Sequence, residues 1–212
     1  MDSFMKQKLP LKEKIANIWY YYKLHIFIGS IIALALIIGC TQCAMRVEPD
    51  YKIVLSLSKQ APDTVIDVMS DYFEQFGEDI NGDGQVKVDI VDACVGYTQD
   101  AQAAQSTKLM AEMQYGQTML FITDDSYYDR LMKFEAFESV DWLPDKDGTA
   151  YNWRDTPLAD AVNAVYENYI SHDVYISKRV VTGTDFEKIE SSVESEKQSV
   201  ELLKKAIADW EK

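Results

Sequence analysis

The sequence predicts an α/β protein: an N-terminal transmembrane helix followed by a three-layer α/β domain with a mixed, partly parallel sheet. Two observations lead to this prediction. Residues 24–45 contain no Asp, Glu, Lys or Arg, and a helix of these 22 residues rises ~33 Å, which matches a hydrocarbon core of roughly 30 Å. Beyond residue 50, strand-like and helix-like segments alternate with short connections, which is typical of βαβ units.

Charge on either side of the apolar stretch predicts its orientation. Residues 1–23 hold five lysines against two acidic residues, a net charge of +3, whereas residues 46–212 hold 16 basic and 33 acidic residues. Lysines close to a span remain cytoplasmic, so we expect the N-terminus inside the cell and the acidic domain outside. The aromatic run WYYY at residues 19–22 suits the headgroup level of the membrane.

A second anchor is compatible with the same stretch. Residues 37–40, IIGC, resemble a lipobox, in which a signal peptidase cuts before the cysteine and a lipid is attached, here to Cys40. We favour an uncleaved, single-pass anchor because apolar character continues beyond Cys40. Both alternatives place the following domain outside the cell, in a bacterial envelope.

The outer part reads as one acidic domain. Residues 46–50 form a short linker, and residues 51–212 are enough for one core. The net charge of −17 over residues 46–212 argues against a nucleic-acid partner, because phosphate contacts need Lys and Arg. Cys94 is the one cysteine of the domain, which excludes a disulfide within it, and we expect a buried thiol there.

The segments of the domain follow in a regular order. Strands are predicted at residues 51–57, 86–91, 119–122 and 174–181. Helices are predicted at residues 62–77, 98–116, 124–132, 158–169 and from about residue 192. Residues 140–156 read as irregular, and residues 119–122 are apolar enough to form a central strand buried on both faces.

Local signals refine the helices. Gly77 stands where a C-cap glycine is expected, and Ser191 with Glu194 matches a capping box at the last helix. Small and apolar residues at helical spacing predict the buried face of the helix at 98–116. They are Ala103, Ser106, Met110 and Met113.

One region resembles a known family. The helix QSTKLMAEMQ at residues 105–114 leads through Gly116 into the short apolar strand at residues 119–122. This arrangement resembles the first lobe of extracellular solute-binding proteins of the type II periplasmic-binding-protein-like class. Members have two lobes with ligand between them, and residues 51–212 amount to about one. The resemblance implies a one-lobe domain that binds a small molecule, sugar or peptide without catalysis.

Polar and aromatic residues near predicted strand ends are the candidate ligand contacts. Ligands of open α/β sheets lie beyond the carboxyl ends of parallel strands, and aromatic rings there can stack on a sugar or peptide. The alternative is that an aspartate here only caps a helix and the rings belong to the core. The candidates are Ser58, Asp92, Asp124, Asp125, Tyr127, Trp142 and Trp153.

Residues 79–86, DINGDGQV, match the start of an EF-hand calcium loop. Asp79, Asn81 and Asp83 stand at the first, third and fifth positions, and Gln85 would offer its backbone oxygen at the seventh. The acidic ligand expected at the twelfth position is replaced by Ile90. The alternative to a calcium site is a polar turn, since Asn-Gly and Asp-Gly favour turns in any case.

Catalytic motifs are absent from the sequence of the outer domain. It contains no HExxH, CxxC, GxSxG or phosphate-cradling glycine loop, and the two histidines, His25 and His172, are not part of a nucleophilic triad pattern. We therefore expect no enzyme and no required cofactor. A membrane-anchored binding or accessory domain is the first interpretation. An envelope-assembly protein that presents a surface to a partner chain is the alternative.

Overall fold

A computed structural model of the chain describes residues 11–44, 48–96, 98–115 and 117–211. The chain divides into two compact units, residues 1–47 and 48–212. Gly116, expected to end a helix, lies outside the described residues. So do residues 1–10 of the leader (residues 1–23), and residues 45–47, which hold the end of the expected span and part of the linker.

The first unit contains one long helix, α1 (Leu11–Ala44). Its segment Trp19–Ile38 has a mean hydropathy of 1.9 and is not buried. These 20 residues rise about 30 Å, so by length and composition the helix can cross a bilayer. A signal segment has the same properties. The candidate span begins five residues before the position expected from the sequence, because the aromatic run at residues 19–22 is included.

The second unit contains five strands and five further α-helices in the part of the chain that the structure describes. The strands are β1 (Tyr51–Ser56), β2 (Val88–Asp92), β3 (Leu120–Asp124), β4 (Ala150–Asn152) and β5 (Val174–Lys178). The helices are α2 (Asp63–Glu74), α3 (Gln99–Tyr115), α4 (Asp125–Met132), α5 (Pro157–Val165) and α6 (Glu190–Trp210). Short 3₁₀ helices lie at Lys146–Gly148 and Asp185–Lys188.

The five strands form one mixed sheet in the order β2-β1-β3-β5-β4. The pairs β1–β2 and β1–β3 are parallel, and the pairs β3–β5 and β4–β5 are antiparallel. The predicted α/β class and the partly parallel sheet are therefore confirmed. The predicted apolar strand is the central one, and Leu120 and Phe121 on it are fully buried.

Alternating side chains of the sheet build two separate cores. On β1, Ile53 and Leu55 face one core, which also contains buried residues of α2, α5 and α6. Val54 points the other way and shares the second core with residues of α3 and α4, among them Leu109 and Leu131. Because successive strand residues face opposite sides, the sheet lies between two helical layers.

The structure corrects several boundaries. Strand β4 lies inside the stretch expected to be irregular; three residues are too few to show an alternating pattern. Helix α5 ends at Val165 and not near residue 169. Helix α6 begins at Glu190 after Ile189, and no side chain caps it, so the capping box expected at Ser191 is wrong. Thr98 caps α3, and its hydroxyl oxygen accepts from the amide of Ala101 at 3.2 Å.

Gly77 has a packing role and not the expected capping role. Helix α2 ends at Glu74, and its C-cap residue Gln75 has right-handed helical angles. A Cβ atom at Gly77 would lie 2.6 Å from Val86 Cγ1 and 3.0 Å from Tyr51 Cε2. Glycine at this position therefore lets the chain pass close to the first residue of β1.

Helix α3 buries only part of the expected face. Met113 packs against the second core as expected, and Ser106 is half-buried. Met110 is 56% exposed and Ala103 is exposed, while the buried residue is Leu109, which was not expected there. The helix is polar on most of its surface, so its apolar periodicity is too weak to fix the phase.

Two buried cations at the end of β5 tie the helical layers to the sheet. Lys178 is 4% exposed and donates to Glu138 at 2.6 Å and to Glu196 of α6. Burial lowers the pKa of Lys178, but the two carboxylates outweigh it, so the pKa is raised above its ordinary value. Arg179 donates to the carbonyl oxygens of Glu112 and Met113 near the C-terminal end of α3.

The central strand should dominate the stability of the domain. Phe121→Ala removes a fully buried ring and should lower the free energy of unfolding by about 3–5 kcal/mol, because it leaves a cavity in the second core. The matched control is Phe134→Ala: this ring is 71% exposed, and its loss should change stability by no more than about 0.5 kcal/mol. Denaturant titration of both variants measures the difference. Equal effects would contradict the central position of β3.

Candidate functional site

Three parallel strands end at one edge of the sheet. Strand β1 ends at Ser56, β2 at Asp92 and β3 at Asp124, and we call this the carboxyl edge. Strand β5 runs the other way, and its first residue, Val174, is paired with Asp124. The loop that precedes β5 therefore also arrives at the carboxyl edge.

Asp124 links two chain segments at this edge. It is 4% exposed. Its Oδ1 accepts from the amide of Tyr127 at 3.0 Å and caps α4, and its Oδ2 accepts from the amide of Ser58 at 2.6 Å. Since both carboxylate oxygens are engaged by the backbone, Asp124 holds the loop after β1 against the start of α4.

A pocket of about 810 Å³ opens beside this connection. Three segments line it: residues 58–63 after β1, residues 95–96 after β2, and residues within 166–171 before β5. We call this the edge pocket. Its volume lies within the roughly 300–1,000 Å³ typical of small-molecule sites, and it lies where open α/β sheets bind ligands.

Tyr166 and Tyr169 form the aromatic wall of the edge pocket, and most of the exposed ring surface belongs to Tyr166. Tyr169 is 3% exposed, and its hydroxyl donates to the backbone oxygen of Gln60 at 3.2 Å. The ring of Tyr166 packs edge-on at 5.7 Å between centroids and is half exposed. Burial raises the pKa of Tyr169, so its hydroxyl stays protonated and remains a donor.

Lys59 supplies a positive charge to the edge pocket. Its Nζ lies 4.0 Å from the centroid of the Tyr169 ring, a cation–π contact. Burial lowers the pKa of Lys59, and the charge of Asp124 opposes that effect. In the described part of the chain no carboxylate forms an ion pair with this ammonium group.

A smaller hollow of about 230 Å³ adjoins the edge pocket, and Val95 lines both. Tyr127 and Arg130 of α4 line the hollow together with polar residues of α3. Burial raises the pKa of Tyr127, although the nearby charge of Arg130 opposes this. The carboxyl edge thus presents hydrogen-bond donors on both sides of Val95: Lys59 in the edge pocket, and Tyr127 and Arg130 in the smaller hollow.

The carboxylates predicted as ligand contacts are mostly engaged with the protein itself. Asp92 is half-buried and accepts from the amide of Cys94 at 2.9 Å. Asp125 is exposed and pairs with Lys146 at 2.7 Å. Of the predicted ligand contacts, Ser58 is the one that lines the edge pocket, and Tyr127 lines the adjoining hollow.

The two tryptophans lie away from the edge pocket. Trp153 is fully buried in the core that α5 and α6 share with the sheet, so it offers no surface to a ligand. Trp142 packs near Lys204 of α6, with Nζ 5.1 Å from the centroid of a ring, and it lines a hollow with Lys178. Lys178 is paired with Leu120 at the start of β3, so this hollow lies at the opposite edge of the sheet.

Sequence reasoning missed the loop at residues 166–171. Its contribution depends on β5 running antiparallel to β3, and a single strand pattern does not give a direction. The sequence contains one signal for a turn in this loop, Asn168, since asparagine tolerates the left-handed region better than most residues. The structure shows that turn, with a φ of 55° at Asn168, and the rings of Tyr166 and Tyr169 contact each other across it.

The loop predicted to bind calcium has a defined turn geometry. Asp79 accepts from the amides of Gly82 and Gly84 at 2.7 and 2.9 Å, and both glycines have positive φ, 75° and 86°. Asn81 and Asp83 each accept from the amide two residues on, at 2.8 and 2.9 Å. These bonds are sufficient to explain the sequence as a turn.

The carboxylate of Asp50 does reach this loop, but both of its oxygens accept from backbone amides, those of Ile80, Asn81 and Lys87, at 2.8, 3.0 and 2.8 Å. Ile90, at the twelfth position, faces the core on β2, and Asp92 lies at the far end of that strand. Among the described residues no group of three His, Cys, Asp or Glu side chains is arranged to hold a metal. Calcium binding by Asp79, Asn81, Asp83 and the backbone of Gln85 stays a prediction.

Comparison with protein-family models, curated proteins and solved structures finds no match to this chain. The resemblance to solute-binding proteins therefore stays a prediction, and the function has to be inferred from the edge pocket itself.

A substitution that keeps the turn but removes a negative charge can distinguish a calcium site from a turn without calcium. In Asp83→Asn the amide oxygen can still accept from Gln85, but a negative charge is lost. A site short of ligands should bind with a Kd of about 10⁻⁴–10⁻³ M. Calcium at tenfold excess would then stabilise the wild type by about 1.4 kcal/mol.

The measurement is the melting temperature in calcium, in magnesium and in chelator. Calcium alone should raise it in the wild type and in the control Asp129→Asn, which removes an exposed carboxylate on α4. The rise should be lost in Asp83→Asn. If calcium and magnesium act alike in all three proteins, residues 79–85 are only a turn.

Proposed function

We propose that this protein is a membrane-anchored, extracytoplasmic binding protein that takes a small polar ligand into the edge pocket and does not transform it. The edge pocket is the observation that carries the proposal. It combines a ligand-sized volume, an aromatic wall and an ammonium group that lacks a carboxylate partner among the described residues. The lining of the edge pocket is more polar than apolar, which suits a polar ligand better than an apolar one.

The chemistry around the edge pocket supports binding rather than covalent catalysis. The nearest thiol, Cys94, is fully buried and donates to the backbone oxygen of Leu55 at 3.5 Å. Burial raises the pKa of that thiol, which disfavours the nucleophilic thiolate. The polar groups that line the pocket are a lysine, one aspartate, tyrosines, serines and amides, which are suited to hydrogen bonding and stacking.

The anchor supports a location at the outer face of a membrane. Helix α1 contains a segment long and apolar enough to cross a bilayer. The lysines before it and the acidic residues after it favour a cytoplasmic N-terminus. A ligand-binding domain held in this way would act on solutes outside the cell or on components of the envelope.

A second candidate function is a surface for an envelope protein. Met110, Tyr115 and Phe134 are large apolar residues that are 56, 75 and 71% exposed on or next to α3 and α4. Met110 and Phe134 line an apolar groove of about 160 Å³, which is too small for most ligands. Exposed apolar residues of this kind are typical of protein contacts.

Blocking the edge pocket tests the first function. The full chain in nanodiscs is titrated with sugars, short peptides and organic acids, and binding is followed by thermal shift and calorimetry. Ser171→Trp places a bulky ring at the pocket wall, and Ser191→Trp makes the same change at an exposed site elsewhere. We expect a ligand that binds the wild type and the control but not Ser171→Trp. A ligand that binds all three proteins equally would place the site elsewhere.

Protease treatment of wall-stripped cells tests the location. External protease should remove residues 48–212 and spare the leader, because the lysine asymmetry predicts a cytoplasmic N-terminus. Cys40→Ser separates the two anchors: a lipoprotein would lose lipid labelling and processing, whereas a spanning helix would keep its size. Protection of the acidic domain from external protease would refute the orientation.

A further inference from the structure

We propose that the ligand of the edge pocket is a small hydroxylated organic acid, such as an acidic sugar, whose acid group binds Lys59. This inference rests on the proposed function and specifies the chemical class of ligand. It follows from three features of the edge pocket: an ammonium group without a carboxylate partner in the described chain, an uncapped helix start and one opposing carboxylate.

The ammonium group of Lys59 is held where an acid group can reach it. Its contact with the face of Tyr169, at 4.0 Å, orients the side chain along the pocket wall. The domain is rich in carboxylates, yet none that the structure describes pairs with this lysine. Asp124, the acidic group that acts on it electrostatically, has both oxygens engaged by backbone amides. A half-buried cation of this kind favours an anionic ligand.

The start of α2 adds a second positive feature. Pro62 is its N-cap residue, and it provides no side-chain oxygen to the amides of the first turn. The amides of Val65 and Ile66 turn back to the Pro62 oxygen. The pocket is lined by residues 61–63, so the positive end of this 12-residue helix faces the same space as Lys59.

The one carboxylate lining the pocket explains why the ligand should also carry hydroxyl groups. Asp63, in the first turn of α2, lines the pocket and forms no ion pair with Lys59. It can accept from a hydroxyl, while the half-exposed ring of Tyr166 offers a face for stacking. A simple anion would bind Lys59 alone. A hydroxylated acid can bind Lys59 through its acid group, donate from a hydroxyl to Asp63 and stack on Tyr166.

Matched pairs of probes test the acid group directly. The full chain in nanodiscs is titrated at constant ionic strength with glucuronate and glucose, and with gluconate and sorbitol, each pair differing in one acid group. We expect saturable binding of the acids, and binding weaker by about tenfold or more for the neutral partners, because one charge-assisted hydrogen bond is lost.

Three variants assign that preference to the pocket. Lys59→Gln should weaken acid binding by about tenfold or more, and Lys59→Arg should retain most of it. Lys197→Gln, the same charge change at an exposed site on α6, should leave it unchanged. Asp63→Asn should strengthen binding of the acids, because it removes the negative charge that lines the pocket, while the amide oxygen can still accept from a hydroxyl. For a cationic ligand the Lys59 and Asp63 effects would have the opposite sign.

The outcomes separate this inference from the proposed function. Equal binding of acids and neutral partners, sensitive to Ser171→Trp but not to Lys59→Gln, would overturn the acid inference and leave a binding pocket. Binding of the acids that is unaffected by Lys59→Gln would also overturn it. If neither the acids nor their neutral partners bind saturably, the acid inference fails, and the wider ligand screen then decides the proposed function.

Discussion

The hydrogen bonds of Asp124 are the constraint on which the carboxyl edge depends. A carboxylate that is 4% exposed has to replace the water it loses, and here two backbone amides do so, those of Ser58 and Tyr127. One amide belongs to the loop after β1 and the other to α4. A single side chain at the end of the central strand therefore fixes the entrance of the edge pocket. It also opposes the loss of charge that burial would impose on Lys59.

The fold was predictable where the sequence pattern is long and one-sided. Strands β1, β3 and β5 and helices α2 and α6 carry many apolar residues, and each was expected close to its observed position. The failures have a common cause in short or weak patterns. Strand β4 has three residues, too few to show the two-residue alternation of a strand. Helix α3 has a polar surface around Leu109, so the helical spacing of its apolar residues was too weak to predict its buried face. Gly77 was misread because close packing and helix capping both select glycine.

The candidate site was predictable only in part, for a reason of topology. Residues after β1 and β3 could be assigned to the carboxyl edge because parallel strands end together, and Ser58 does line the pocket. The loop at residues 166–171 joins them because β5 is antiparallel to β3, and an isolated strand sequence does not reveal its direction. Trp153 shows that a position at the carboxyl edge is not enough to predict a ligand contact. It follows β4 at this edge, but its side chain is buried in the core.

The acidity of the domain and the cation in its pocket act together on selectivity. A net charge of −17 over residues 46–212 repels anions at a distance, but that field decays over a Debye length of about 8 Å at physiological salt. A half-buried contact with Lys59 is screened much less. Anions would therefore gain little from loose association with the surface and much from entering the pocket. An acidic surface around one cationic pocket thus disfavours non-specific anion binding while preserving the specific contact.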